Sequence, residues 1–216
     1  MSFLSEKDQQ YVVNLFENLV NPVKLIMFTQ ELECQYCRET HQLLEEIAAL
    51  SDKIELQIYN FQIDNNMVEK YKIDKIPATV IEGDRDYGIR YYGIPSGYEF
   101  ASILEDIVDV SKNDSGLSEE ARAALAKINQ PLHIQVFVTP TCPYCPKAVR
   151  LAHKMAIENK NITADMVEAT EFPHLAMRYN VSGVPRTIIN EDTPVEGSLP
   201  EMLLIEKVVE ALEKPQ

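Results

Sequence analysis

Basic residues are in short supply. Twenty Lys and Arg face 34 Asp and Glu, which leaves a net charge of −14 and a pI near 4.7. Phosphate backbones are held by clustered cations, so this balance argues against a nucleic-acid binder. Long apolar runs are missing too, since none approaches the roughly 20 residues of a helical membrane span. The opening stretch MSFLSEKDQQ has no basic segment followed by an apolar one, and the expected compartment is the cytoplasm. Cysteine is equally scarce. Four scattered cysteines in a secreted chain would suggest a disulfide framework; here all four fall into two CxxC pairs, Cys34-Gln35-Tyr36-Cys37 and Cys142-Pro143-Tyr144-Cys145. That spacing narrows the chemistry to redox exchange or a metal.

What is present is enough to bury real cores. Apolar residues make up 45% of the chain and charged residues 25%, and 216 residues suit two compact units of about 100 each. The chain is in fact written twice. Cys34 and Cys142 lie 108 positions apart, as do Tyr36 and Tyr144, Tyr71 and Tyr179, and Ile73 and Val181. Ile76-Pro77-Ala78-Thr79 falls on Val184-Pro185-Arg186-Thr187 at the same offset. The beginnings match as well, Leu4-Ser5-Glu6 with Leu117-Ser118-Glu119, although the first copy then runs four residues longer, about one helical turn. The polar, turn-rich stretch Ser111 to Gly116 reads as the connector, which gives units 1–114 and 115–216.

Each copy reads α-β-α-β-α-β-β-α. Opening helices are expected over 5–20 and 118–128, each with Ser as N-cap. Buried strands follow at Leu25 to Phe28 and Ile134 to Val138. The CxxC then opens a helix, with apolar faces through Leu43, Leu44 and Ile47 or Val149, Leu151, Ala152 and Met155. Second strands run through Ile54, Leu56 and Ile58 or Ile162, Ala164 and Met166, and short helices end at Tyr71 and Tyr179. Past the shared proline come Thr79 to Ile81 and Thr187 to Ile189, then an edge strand around Ile89 to Tyr92. Amphipathic helices over 98–110 and 200–213 close the copies. This order predicts an α/β fold, each unit a central mixed sheet flanked by helices.

A CxxC after the first core strand, with Ile/Val-Pro before the hairpin, resembles the thioredoxin fold, and Cys-Pro-Tyr-Cys is similar to the glutaredoxin active-site motif. Two such units in tandem resemble the glutaredoxin-like protein disulfide oxidoreductases. The resemblance implies thiol–disulfide exchange on protein substrates, in which reduction, oxidation and isomerisation are one exchange read in different directions. It implies recharging by a thioredoxin-reductase-like flavoenzyme and no bound cofactor. It also implies that Pro77 and Pro185 are cis, leaving the backbone of Ile76 and Val184 free to pair with an extended substrate. One departure is plain: thioredoxins carry a buried acid in the strand ahead of the motif, and here that strand is apolar.

The spacing suits the chemistry. Exchange needs a thiolate and a nearby second thiol to resolve the mixed disulfide. A helix start offers free backbone N–H groups and the positive end of its dipole to the first sulfur. Cys34 and Cys142 are therefore expected to attack, and Cys37 and Cys145 to resolve. Pro143 is expected in the first helical turn, where its missing N–H costs nothing; Pro146 has no functional account. Tyr36 and Tyr144 are expected to shape the motif surface. Residues 1–114 hold 10 basic and 21 acidic side chains, residues 115–216 hold 10 and 13. With Glu31, Glu33, Arg38 and Glu39 around Cys34, but Lys147 and Arg150 after Cys142, the charges favour the thiolate more at Cys142.

Other readings carry less weight. Paired CxxC motifs can hold zinc, but these lie about 100 residues apart, each after an apolar strand. Inert disulfides would close loops too short to stabilise much. A dedicated electron-transfer module for a peroxidase or reductase is a further alternative, though two-unit relatives of that kind usually lack cysteines in one copy. A chaperone-like peptide holder is another. His41 is expected to be solvated or packed, His133, His153 and His174 have no partner pattern, and Tyr71 and Tyr179 belong to the core.

Overall fold

The computed structural model describes residues 3–213; the outer ends of the two expected units, 1–2 and 214–216, lie outside them. The first copy contains α1 (Glu6–Phe16), β1 (Val23–Thr29), α2 (Cys37–Ala48), β2 (Ile54–Asn60), α3 (Asn65–Tyr71), β3 (Ala78–Glu82), β4 (Asp86–Tyr92) and α4 (Glu99–Lys112). The second repeats the order with α5 (Glu119–Leu125), β5 (Leu132–Val138), α6 (Cys145–Glu158), β6 (Ile162–Glu168), α7 (Pro173–Arg178), β7 (Arg186–Ile189), β8 (Thr193–Glu196) and α8 (Glu201–Glu213).

The opening helices begin as expected. Ser5 Oγ accepts from the Asp8 backbone N–H while the Asp8 carboxylate accepts from Ser5 N–H, a reciprocal cap worth about 1 kcal/mol. Ser118 Oγ caps Ala121 N–H at 3.1 Å. Both helices are shorter than expected, because short turns to Leu19 and Ile128 end them before the strands. With 11 residues against 7, α1 does hold the extra turn of the first copy.

The two central sheets are one. Eight strands run in the order β2-β1-β3-β4-β6-β5-β7-β8. The expected edge strand Ile89 to Tyr92 is therefore interior: in β4 it pairs in parallel with Ala164 to Val167 of β6. Local periodicity identifies a strand but does not say what lies beside it. The alternation in β4 already shows two buried faces, with Ile89 and Tyr91 in one core and Tyr92 in the other. The larger core joins α1, α2, α4, α5, α6 and α8 to one face of the sheet; the smaller lies under α3 and α7, with Tyr71 and Tyr179 in it. Strands buried on both faces read as continuous apolar runs, which is why β1 and β5 look as they do.

A buried polar network also joins the copies. Asp106 of α4 is fully buried and accepts from Tyr91, and lies 2.5 Å from His153 Nδ1 and against Arg150 of α6. Arg150 reaches Glu105 and Asp109 as well, at 3.1 and 2.6 Å. Burial and the neighbouring Arg150 push His153 down to about 3, so its imidazole is neutral. These pairs make α4 and α6 run side by side in the same direction. At their N-terminal ends, Tyr98 N–H donates to the Pro140 carbonyl at 3.0 Å. Gly97 has φ +61°, and a Cβ there would collide with the same carbonyl oxygen. Gly97→Ala is accordingly expected to cost about 2 kcal/mol, read by calorimetry as a Tm fall of roughly 5 °C.

Candidate functional site

Both cysteine pairs sit at the same end of the sheet. β1 and β5 run in one direction, so the chain leaves each toward its CxxC on the same side. Strands β3, β4 and β6 intervene, placing β1 and β5 four strand spacings apart, about 19 Å. Each pair is closed on itself as a disulfide, Cys34–Cys37 and Cys142–Cys145, with Cα atoms 5.5 Å apart in both.

The helices start later than expected, at Cys37 and Cys145, with Tyr36 and Tyr144 as N-caps. Pro146, not Pro143, therefore occupies the first helical turn, where a missing N–H leaves nothing unpaired. Cys34 and Cys142 stand in the loops facing the helix starts. Cys37 and Cys145 are buried in the first turns.

The Ile76–Pro77 and Val184–Pro185 bonds are both cis. Phe28 pairs with Ala78, and Phe137 with Arg186, so both prolines reach the end of the sheet from which the CxxC loops depart. Pro77 and Pro185 are buried, whereas Ile76 and Val184 are half-buried. Tyr36 packs against the core and its carbonyl accepts from Thr40, but Tyr144 is 71% exposed.

The two sites differ in access. Cys142 is 7% exposed, with Gly97 and Tyr98 of the first copy packed on the loop before it. Cys34 is half-buried and opens onto a groove of about 600 Å³ lined by Glu31, Cys37, Arg38, His41, Ile58 and Asp64. His41 thus stands in the groove with its Nε2 3.1 Å from a Glu45 carboxylate oxygen. One expected cation is absent from the Cys142 site: Arg150 is drawn to three carboxylates of α4, whereas Lys147, the other expected cation, is exposed.

Sequence reasoning missed Glu99. It is the first residue of α4, 1% exposed, and neither carboxylate oxygen has a hydrogen-bond partner. Burial pushes it up to about 7, with the Ser102 hydroxyl pulling weakly the other way. Arg150 meets α4 at Glu105 to Asp109, and residue 98 meets residue 140, so Glu99 lies alongside the first turn of α6, where Cys145 is fully buried. A signal for it did exist: Glu99, Ile103 and Ile107 share one helical face, and the last two are core.

A mixed sheet with a CxxC disulfide leaving a central strand, and a proline loop meeting it at the same end, defines a thioredoxin unit; this molecule has two, fused through their sheets. The chain belongs to the thioredoxin-domain family, which matches residues 24–105 and 132–210. It is similar to a protein disulfide oxidoreductase from Aeropyrum pernix K1, with TM-score 0.90 and 31% identity over 97% of this chain and 94% of that one. It is also similar to a C503A mutant of the alkylhydroperoxide reductase AhpF from Enterococcus faecalis (V583), with TM-score 0.89 and 26% identity over 95% and 99% of the two chains. An NADH dehydrogenase from Bacillus subtilis (strain 168) is 26% identical over 158 residues, 73% of this chain and 29% of that protein. The chain thus spans less than a third of the length of the curated relatives it matches. Among the described residues no helix is long and apolar enough to cross a membrane.

Proposed function

We propose that this chain is a protein thiol–disulfide oxidoreductase with two sites, one in each of the units 1–114 and 115–216. The observation that carries the reading is the pair of CxxC disulfides, each facing a helix start at one end of the sheet. In the reduced protein, Cys34 or Cys142 as thiolate attacks a substrate disulfide. A mixed disulfide forms and one substrate thiolate leaves. Cys37 or Cys145 then attacks the first cysteine, reforming the internal disulfide and releasing the second substrate thiolate. Two electrons pass to the substrate, and run backward the same steps oxidise a dithiol. The resolving thiol must lose a proton as it attacks, and at the second site we assign its uptake to Glu99. Ile76 and Val184 supply backbone groups for the substrate segment, with Pro77 and Pro185 shaping the loops and Tyr36 and Tyr144 the surface beside the sulfurs. Isomerisation of non-native disulfides belongs to the same chemistry.

The likeness to the alkylhydroperoxide reductase AhpF supports a second reading, an electron relay between a flavoenzyme and a peroxidase. Cysteines in both copies favour the general oxidoreductase. Removing the resolving thiols tests the reading. Cys37→Ser and Cys145→Ser are each expected to accumulate mixed disulfides with a reducible protein such as insulin, released by dithiothreitol and counted by mass spectrometry. No adduct at either Cys34 or Cys142 would refute it.

A further inference from the structure

The internal repeat shows what covers a strand in the position of β2. Leu56 to Tyr59 of β2 correspond, 108 positions on, to Ala164 to Val167 of β6, and these are the residues that β4 covers in parallel. Met166 is fully buried there, opposite Tyr91. Its counterpart Ile58 lies at the free edge of the eight-stranded sheet and is 40% exposed. Leu32 and Ile63, 78% and 75% exposed, flank the same region, and Ile58 itself lines the groove that holds Cys34.

A second copy of this chain is poorly suited to fill the edge. The strand equivalent to β4 in the second copy is β8, which is only four residues long, contains Pro194 and is followed by Gly197 and Pro200. Proline cannot donate to a ladder. The surroundings are acidic, with Glu31 and Asp64 in the groove and Glu33 and Glu39 exposed beside it, against Arg38.

We propose that the β2 edge is a docking site for an extended segment of a non-native protein, apolar where it faces Ile58 and basic in its flanks. The segment adds as a ninth strand, parallel to β2 as β4 is to β6, and carries its cysteine to Cys34. The site at Cys142 has no such edge, because β4 already occupies it. This names the substrate class of the first site and rests on the exchange chemistry proposed above for its purpose, though not for its binding.

Binding and chemistry can be read apart. A fluorescent, cysteine-free decapeptide with an apolar centre and Lys flanks is titrated with the oxidised full chain by anisotropy. Saturable binding is expected, weakened at least tenfold by Ile58→Asp or by N-methylation at alternate peptide residues. No saturable binding would overturn the proposal, as would equal affinity for the N-methylated peptide or for the variant. Self-association of the wild type, abolished by Ile58→Asp, would assign the edge to a second copy and overturn it too. Exchange of the reduced protein with a small aromatic disulfide reports on the redox reading separately; its failure with peptide binding intact would remove that reading and leave the docking site.

Discussion

Insulin reduction driven by dithiothreitol should fall to the uncatalysed rate in the Cys34→Ser/Cys142→Ser double variant. The single variants separate the sites. Each serine removes the only atom in its motif that can form the mixed disulfide, and a hydroxyl does not substitute because thiolate, not oxygen, exchanges with disulfides. A loss of at least about a thousandfold at the altered site is expected, since no step bypasses the first attack. The buried second cysteines, Cys37 and Cys145, cannot take over. The single variant that retains more activity identifies the more productive site. Full activity in the double variant would leave only the peptide-holding class of function, in which suppression of aggregation continues without sulfur chemistry.

Glu99→Gln should slow the second site by about a hundredfold while making the protein more stable. Both effects come from one buried carboxyl. In the unfolded chain its proton leaves near the ordinary 4.5; in the folded protein burial holds it to about 7. Between those values the unfolded state binds fewer protons than the folded state, so stability falls as pH rises across the window, and the penalty is complete above about 7. A shift of this size corresponds to about 3 kcal/mol. Glutamine keeps the shape and cannot ionise, so urea unfolding at pH 8 should show a gain approaching that value, and little gain at pH 4. The kinetic signature is a pH profile. In a Cys34→Ser background, the wild-type residue should give a rate that climbs as Glu99 ionises near pH 7, and the Gln variant should lose that rise. A glutamine variant that is slower at every pH by one factor would instead mark a packing role.

Most of the fold could be read from the chain because the duplication repeats every signal. Ser5 and Ser118 cap as expected, β1 and β5 are buried strands, and the apolar helix faces hold. The four cysteines were legible for the same reason. What could not be read depends on contacts between copies. Ile89 to Tyr92 carries the pattern of a strand but not the identity of its neighbour in β6. Arg150 reads as a free cation near the motif until α4 is laid beside it with Glu105, Asp106 and Asp109. Glu99 is 46 positions from Cys145 and in the other copy, so no local rule connects them. The strand before the motif does lack a buried acid, and the buried carboxyl proposed for that role, Glu99, belongs to the neighbouring unit.

The continuous ladder through β3, β4 and β6 turns the molecule into a ruler. Sulfurs that must touch to trade partners are held about four strand spacings apart, and closing that gap would mean breaking the backbone hydrogen bonds of the ladder. On the exchange chemistry proposed above, direct transfer between the two pairs is closed off by that separation, and each pair trades electrons with groups outside this sheet. A client with two crossed bridges at a comparable distance could, on the other hand, be gripped at both in a single encounter.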